Sequence, residues 1–291
     1  MVAASFLFAC MGVCVKLAAA RHSAAEIVFW RSSISLLIMI GVVRWQGVGF
    51  ATPVLALQVF RGVSGFVSLT LYFIAIVLLP LATAVTLNYT SPLFLAIFLV
   101  AFAGMRLRPA LVVALGVGLA GVAVVLKPTF HADLLSGGLA GLGSGLMAGL
   151  AYFNVRALAQ RGEPDARTVF YFSLVATSCS VVWMGFSEFH AVDRRDVLLL
   201  AGTGVFATLA QLAMTRSYRV GKTLVSASLA YTAVIFASLF GMLLWGDTLT
   251  GPSWLGMALI VASGVAATAL SRRPARVPAA KDEACPAPVP D

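Results

Sequence analysis

Hydrophobic residues make up 60% of the 291-residue chain and charged residues 11%, against about 25% charged in a soluble domain, and the mean hydropathy is +0.98. So little polar surface cannot cover a core of this size, so the chain reads as an integral membrane protein; a soluble enzyme, a secreted disulfide scaffold, a disordered chain and a free nucleic-acid-binding domain are excluded. The net charge of +9 is scattered between apolar runs, which carries topology information rather than a nucleic-acid footprint.

A helix crosses the hydrocarbon layer in about 20 residues. Apolar runs broken by charge, Gly or Pro predict ten spans, at 2–19, 26–43, 62–79, 83–104, 110–127, 137–156, 168–187, 197–215, 223–245 and 253–270. The first run lacks a preceding basic residue and is longer than a usual signal-peptide core, so it counts as a helix. The Pro-rich segment 272–291 cannot bury a core and is expected to be a disordered tail.

Lys and Arg favour the cytoplasmic side. With the N-terminus inside, Arg44, Arg61, Arg106, Arg108, Arg156, Arg161, Arg167, Arg216, Arg219, Lys222 and the tail's Arg272, Arg273, Arg276 and Lys281 fall on inner segments, against Arg21, Lys127, Arg194 and Arg195 outside. Both termini are therefore expected in the cytoplasm, and the chain in the inner (cytoplasmic) membrane.

The second half echoes the first. Pro80 to Asn88 lines up with Val220 to Ser228, 140 residues on; Lys16-Leu-Ala matches Arg156-Ala-Leu, and Gly104-Met-Arg-Leu matches Gly246-Asp-Thr-Leu. Each half thus holds five spans, residues 1–128 and 137–271. An odd count makes the halves enter the membrane from opposite sides, the inverted-repeat architecture of alternating-access transporters.

Glu26-Ile-Val-Phe-Trp-Arg31 opening the second span, Leu81-Ala-Thr-Ala-Val-Thr-Leu-Asn-Tyr-Thr-Ser-Pro92 in the fourth and Gly246-Asp247 closing the ninth carry a resemblance to the EamA family of the drug/metabolite transporter superfamily and its amino-acid exporters. In the first half Met105 stands where an acid would match Asp247. The resemblance implies an all-α integral membrane fold, two inverted five-helix repeats around a central cavity lined by spans 1, 3, 4, 6, 8 and 9. It also implies outward movement of a small amino acid or related metabolite.

Several polar side chains within the spans are candidate cavity residues, because polar groups at membrane depth must find partners, a wet cavity or the protein interior. In span 4, Asn88, Tyr89 and Ser91 stand beside Pro92, which frees the Asn88 carbonyl for a substrate ammonium group; interhelical hydrogen bonding in a kinked helix is the alternative. Span 9 carries Ser228 and Tyr231 but no proline; if the kinked backbone matters, the two halves are not equivalent in their roles. Gln211, Tyr72 and Tyr152 complete the set: Asn88, Ser91, Gln211 and Ser228 for the polar ends of an amino acid, and the four tyrosines for its apolar side chain; for Gln211 a structural hydrogen bond is the alternative.

Gly137, Gly141, Gly145 and Gly149 place four glycines along one helical face, read as close packing. Arg31, beside Trp30, is expected to snorkel to the headgroups, or to pair with Glu26 or an internal carbonyl; Lys16 and Arg156 are expected to snorkel. Cys10, Cys14, Cys179 and Cys285 form no pairing framework and are expected to be free thiols. No Asp or Glu lies deep in a span, His22, His131 and His190 fall in predicted outer loops, and a nucleotide-binding loop is absent. Expected partners are therefore a small-molecule substrate and the bilayer, without cofactor, metal or nucleic acid, in a monomeric protein that is not an enzyme.

Overall fold

The computed structural model describes residues 1–79, 81–105, 108–127, 135–185, 190, 192–246, 248 and 250–272. Pro80, Arg106, His131, Asp247 and positions 273–291 of the expected tail lie outside the described residues.

The architecture is all-helical: α1 (Val2–Ala18), α2 (Ala24–Trp45), α3 (Leu55–Leu78), α4 (Leu81–Asn88), α5 (Ser91–Ala101), α6 (Pro109–Leu126), α7 (Leu135–Gln160), α8 (Asp165–Met184), α9 (Arg194–Val220), α10 (Thr223–Ala230), α11 (Thr232–Trp245) and α12 (Gly251–Arg272). Among the described residues, nine segments are long and apolar enough to cross a bilayer, α4 with α5 and α10 with α11 each forming one broken span. The tenth, α1, has 17 residues and rises about 25 Å. Leu37, Val182, Leu198 and Leu243 are exposed on the outside of the bundle, where lipid replaces water.

Helix starts follow local chemistry. Ser23 caps α2 in a reciprocal box with Glu26, and Asp193 does the same for α9 with Asp196, each satisfying orphan N–H groups. Pro109 opens α6, where its missing donor costs nothing. The third span begins well before residue 62. The charge of Arg61 was expected to mark a connection, but the helix runs from Leu55 and carries Arg61 inside it.

Packing is dominated by helices from opposite halves. α1 lies on α9 and α11, α2 on α8 and α9, α3 on α7 and α8, α7 on α4 and α5, and α6 on α12. Exchanging the first five spans for the last five maps this pattern onto itself. Span 1 on span 8 becomes span 6 on span 3, span 1 on span 9 becomes span 6 on span 4, and 2 on 7 and 5 on 10 return themselves. Two related five-span units packed in this way are an inverted pair.

The glycine face of α7 packs on the broken fourth span and the end of α3. A Cβ at Gly137 would stand 2.7 Å from the Leu79 side chain, one at Gly141 2.8 Å from Leu87, and one at Gly149 2.9 Å from the Ser91 carbonyl oxygen. At Gly145 it would meet the Thr90 hydroxyl and stand 2.8 Å from the Leu87 carbonyl oxygen. α6 and α12 approach as closely: a Cβ at Gly121 would lie 2.7 Å from the Gly256 oxygen, and one at Gly256 2.7 Å from the Gly121 oxygen.

The two broken spans correct the sequence alignment. α4 ends at Asn88 and α10 at Ala230, so the repeat offset here is 142 residues, not 140. Asn88 corresponds to Ala230 rather than Ser228, and Tyr89 to Tyr231. The ninth span breaks at the equivalent place without a proline. At both sites the ladder tightens to three-residue spacing, with the Thr90 amide donating to the Leu87 carbonyl and the Tyr231 amide to that of Ser228, while the backbone stays right-handed. Such tightening alone interrupts an α-helix.

Candidate functional site

Three of the four tyrosines expected to line a cavity, Tyr89, Tyr152 and Tyr231, pack in one apolar cluster, while Tyr72 packs in a separate one with Ala75, Leu79 and Leu87. The Tyr89 and Tyr231 rings lie 6.1 Å apart, and Tyr152 stacks on Tyr218 at 5.3 Å and 20°. Tyr218, on α9, was missed in the sequence because it sits among Arg216, Arg219 and Lys222 and reads as a loop residue. It is buried, and neither its hydroxyl nor that of Tyr231 has a hydrogen-bond partner. Buried hydroxyls without partners carry a desolvation cost.

The other polar candidates divide. Asn88 donates from Nδ2 to Ser144 Oγ on α7 at 3.1 Å, and its carbonyl oxygen lies against Gly145. In this arrangement both polar ends of Asn88 serve helix packing. Ser228 is fully buried and donates back to the Val225 carbonyl within α10. Ser91 and Pro92 are buried at the start of α5, the Ser91 carbonyl facing Gly149.

Gln211 opens a different site. Its Oε1 accepts from Arg61 Nη2 at 3.3 Å. The Arg61 guanidinium lies over the Phe172 ring, 4.3 Å from the centroid, in space that Gly65 leaves: a Cβ there would stand 2.6 Å from Arg61 Nη1. Arg61 is 2% exposed and Arg31 9%. The expectation that Arg31 snorkels is therefore overturned; it faces a recess lined also by Ser32, Ser35, Phe172, Thr208 and Gln211. That recess, with about 10 Å³ open to water centres, has room for roughly one water molecule. Arg61 Nε and Nη1, Arg31 Nε and Ser32 Oγ have no hydrogen-bond partner, and neither arginine forms an ion pair among the described residues. Gln211 and Phe172, which hold Arg61, also line the recess that Arg31 faces, so the two guanidinium groups share these neighbours. The arginines come from α2 and α3, Phe172 and Gln211 from α8 and α9, so the site lies on the seam between the halves. Of the spans expected to line a cavity, only 3 and 8 contribute here, joined by 2 and 7.

Charged clusters close the bundle at either end. Where α2 and α9 begin, His22 is buried between two carboxylates, its Nδ1 3.6 Å from Glu26 and its Nε2 3.4 Å from Asp196. His190 Nδ1 lies 3.0 Å from Glu26, and Arg21 bridges Asp193 at 2.9 Å. At the opposite end Glu163 accepts from Thr52 Oγ1 at 2.8 Å, from Gln58 Nε2 at 3.0 Å and from Arg167 Nη1 at 3.2 Å. Sequence spacing shows only the i,i+4 pairs His22–Glu26 and Glu163–Arg167; Asp196, His190, Thr52 and Gln58 join them from the opposite half.

Lys16 has an aromatic partner, with Nζ 3.8 Å from the Trp245 ring centroid, and Arg156 lies against the Met105 sulfur. Cys10, Cys14 and Cys179 are free thiols, and the described residues contain no group of three or more His, Cys, Asp or Glu suited to a metal ion.

Comparison with known proteins agrees with this architecture. A pseudopaline exporter of Pseudomonas aeruginosa is 34% identical over 271 residues, covering 93% of this chain and 94% of its own. A riboflavin transporter of Brucella anthropi is 21% identical over 272 residues, covering 91% and 95%. A crystal structure at 24% identity superposes with a TM-score of 0.82 over 93% of this chain and 96% of that one, a likeness of fold. The model of the EamA-like transporter family matches twice, at residues 1–127 and 135–268. The chain therefore belongs to the EamA-like transporter family and is a multi-pass membrane transporter built from two EamA units.

Proposed function

We propose that this transporter exports a hydrophobic or aromatic amino acid, or a metabolite built from one, by alternating access across the cytoplasmic membrane. The observation that carries the reading is the seam itself. Side chains of both halves converge there on one polar interior, with tyrosine faces beside hydrogen-bonding groups, and the helix pairings are the same when the halves are exchanged. A substrate held on such a seam is released to one side or the other as the halves tilt. Aromatic faces suit an apolar side chain, and Gln211 with the serines and threonine of the recess suits a polar head group.

The outward direction draws on the pseudopaline exporter among the relatives. That relative and the riboflavin transporter also favour a second reading, export of another small metabolite. Both termini are assigned to the cytoplasm from the distribution of Lys and Arg, a bias that survives the transfer of Arg61 from a connection to the interior of α3.

Flux from proteoliposomes loaded with a panel of labelled amino acids tests the proposal. Saturable efflux of an aromatic member supports it, and movement of a different metabolite with no amino-acid flux overturns the substrate assignment. Cysteine accessibility at positions 130 and 285 tests the geometry: labelling of both from one side contradicts an inverted pair with a cytoplasmic tail.

A further inference from the structure

We infer that the Arg31–Arg61 pair is an anion site and that the transported molecule carries at least two carboxylates. The inference rests on the transport reading above and names its substrate class. Two buried guanidinium groups border the same two side chains, Gln211 and Phe172, on the seam, at a depth where an unpaired charge is costly. The described acids are engaged elsewhere: Glu26 with His22 and His190, Glu163 with Arg167, Asp165 with Arg216 and Arg219, and Asp193 and Asp196 with Arg21. Gln211 and the Phe172 face are what the protein offers Arg61, and both are neutral. The unsatisfied N–H groups of Arg31 and Arg61 and the Ser32 hydroxyl are donors awaiting acceptors.

Guanidinium forks match carboxylates in two-point geometry. A plain zwitterionic amino acid brings one ammonium for each carboxylate and leaves both buried charges uncompensated. A molecule with two carboxylates and no ammonium neutralises the pair, while its aromatic body lies against apolar faces such as the Phe172 ring beside Arg61. With space for roughly one water in the recess, such a molecule enters only when the helices part, and its charge then draws α2 and α3 toward α8 and α9.

The test uses the purified full-length protein and three aromatic probes of similar size: 2-benzylsuccinate (two carboxylates), phenylalanine (a zwitterion) and phenyl phosphate (the other common dianion). Thermal-shift binding in detergent and counterflow in proteoliposomes are read in parallel. The expected result is saturable binding and flux of benzylsuccinate, with phenylalanine at least about tenfold weaker, a difference near 1.4 kcal/mol. Arg31→Gln and Arg61→Gln are each expected to weaken benzylsuccinate by about tenfold or more, while Arg61→Lys retains part of the affinity.

Phenylalanine bound or moved as well as benzylsuccinate overturns the inference while leaving the transport reading intact. Stronger binding of phenyl phosphate overturns the carboxylate assignment, and the absence of benzylsuccinate binding overturns the site. Benzylsuccinate binding with no counterflow of it keeps the anion site and overturns its assignment to the transported molecule. The wild-type preference among the probes decides the matter even if a variant fails to fold.

Discussion

Tyr89 and Tyr231 stand at equivalent positions of the two halves, each at the break of its span, with ring centroids 6.1 Å apart. Tyr231 is fully buried and its hydroxyl lacks a partner. Tyr231→Phe is therefore expected to leave thermal stability in detergent unchanged or slightly raised, because it removes an unsatisfied hydroxyl and keeps the ring. Tyr231→Ala is expected to cost about 3–5 kcal/mol, the range for emptying a large aromatic site. A marked loss of melting temperature in the Phe variant would mean that the hydroxyl has a partner after all.

Gly65→Ala should disable transport more than it harms folding. The new methyl would stand 2.6 Å from Arg61 Nη1 and 2.9 Å from the Phe172 ring, and the flexible end of Arg61 is what yields. The expected phenotype is a KM increase of about tenfold with a melting temperature close to wild type, read by counterflow and thermal unfolding. Wild-type KM would show that Arg61 does not act from its present position.

Asn88→Ala is expected to be mild. It removes the bond to Ser144, whose hydroxyl still donates to the Gly141 carbonyl at 2.7 Å, so the cost is about 1 kcal/mol and flux stays within about twofold of wild type. A large rise in KM at unchanged stability would restore Asn88 to the binding surface.

Glu163→Ala removes the carboxylate that holds Thr52, Gln58 and Arg167 together. Loss of a buried pairing partner typically costs about 3–5 kcal/mol, and a melting temperature reduced by several degrees is the expected reading. Glu163→Gln keeps two of the acceptor contacts and should fall between. Equal stability of all three proteins would show that this cluster does not hold the end of the bundle.

Hydropathy made the ten crossings legible because a membrane span is announced by composition alone. Their pairing was legible only through the repeat, and there a weak similarity misled by two residues: the register that the breaks at Tyr89 and Tyr231 make plain was available in Thr-Leu-Asn-Tyr-Thr and Ser-Leu-Ala-Tyr-Thr, which are identical at Leu, Tyr and Thr. The arginines were hidden by the rule that exposed the spans. A charge usually ends an apolar run, so Arg61 was assigned to a connection and Arg31 to the headgroups. A run that continues apolar on both sides of a single arginine, as Leu55 to Leu78 does, was the available signal. His22 and Glu26 stand four residues apart in sequence, but Asp196 joins them only through the docking of α2 on α9, which no local spacing encodes.

The crossing of Gly121 with Gly256 has a mechanical consequence. Each residue presses its backbone on the other's carbonyl, with no side chain between them to act as a bearing, so α6 and α12 are denied sliding while rotation about the point of contact stays open. A methyl group added to either glycine would wedge apart the closing helices of both repeats at once.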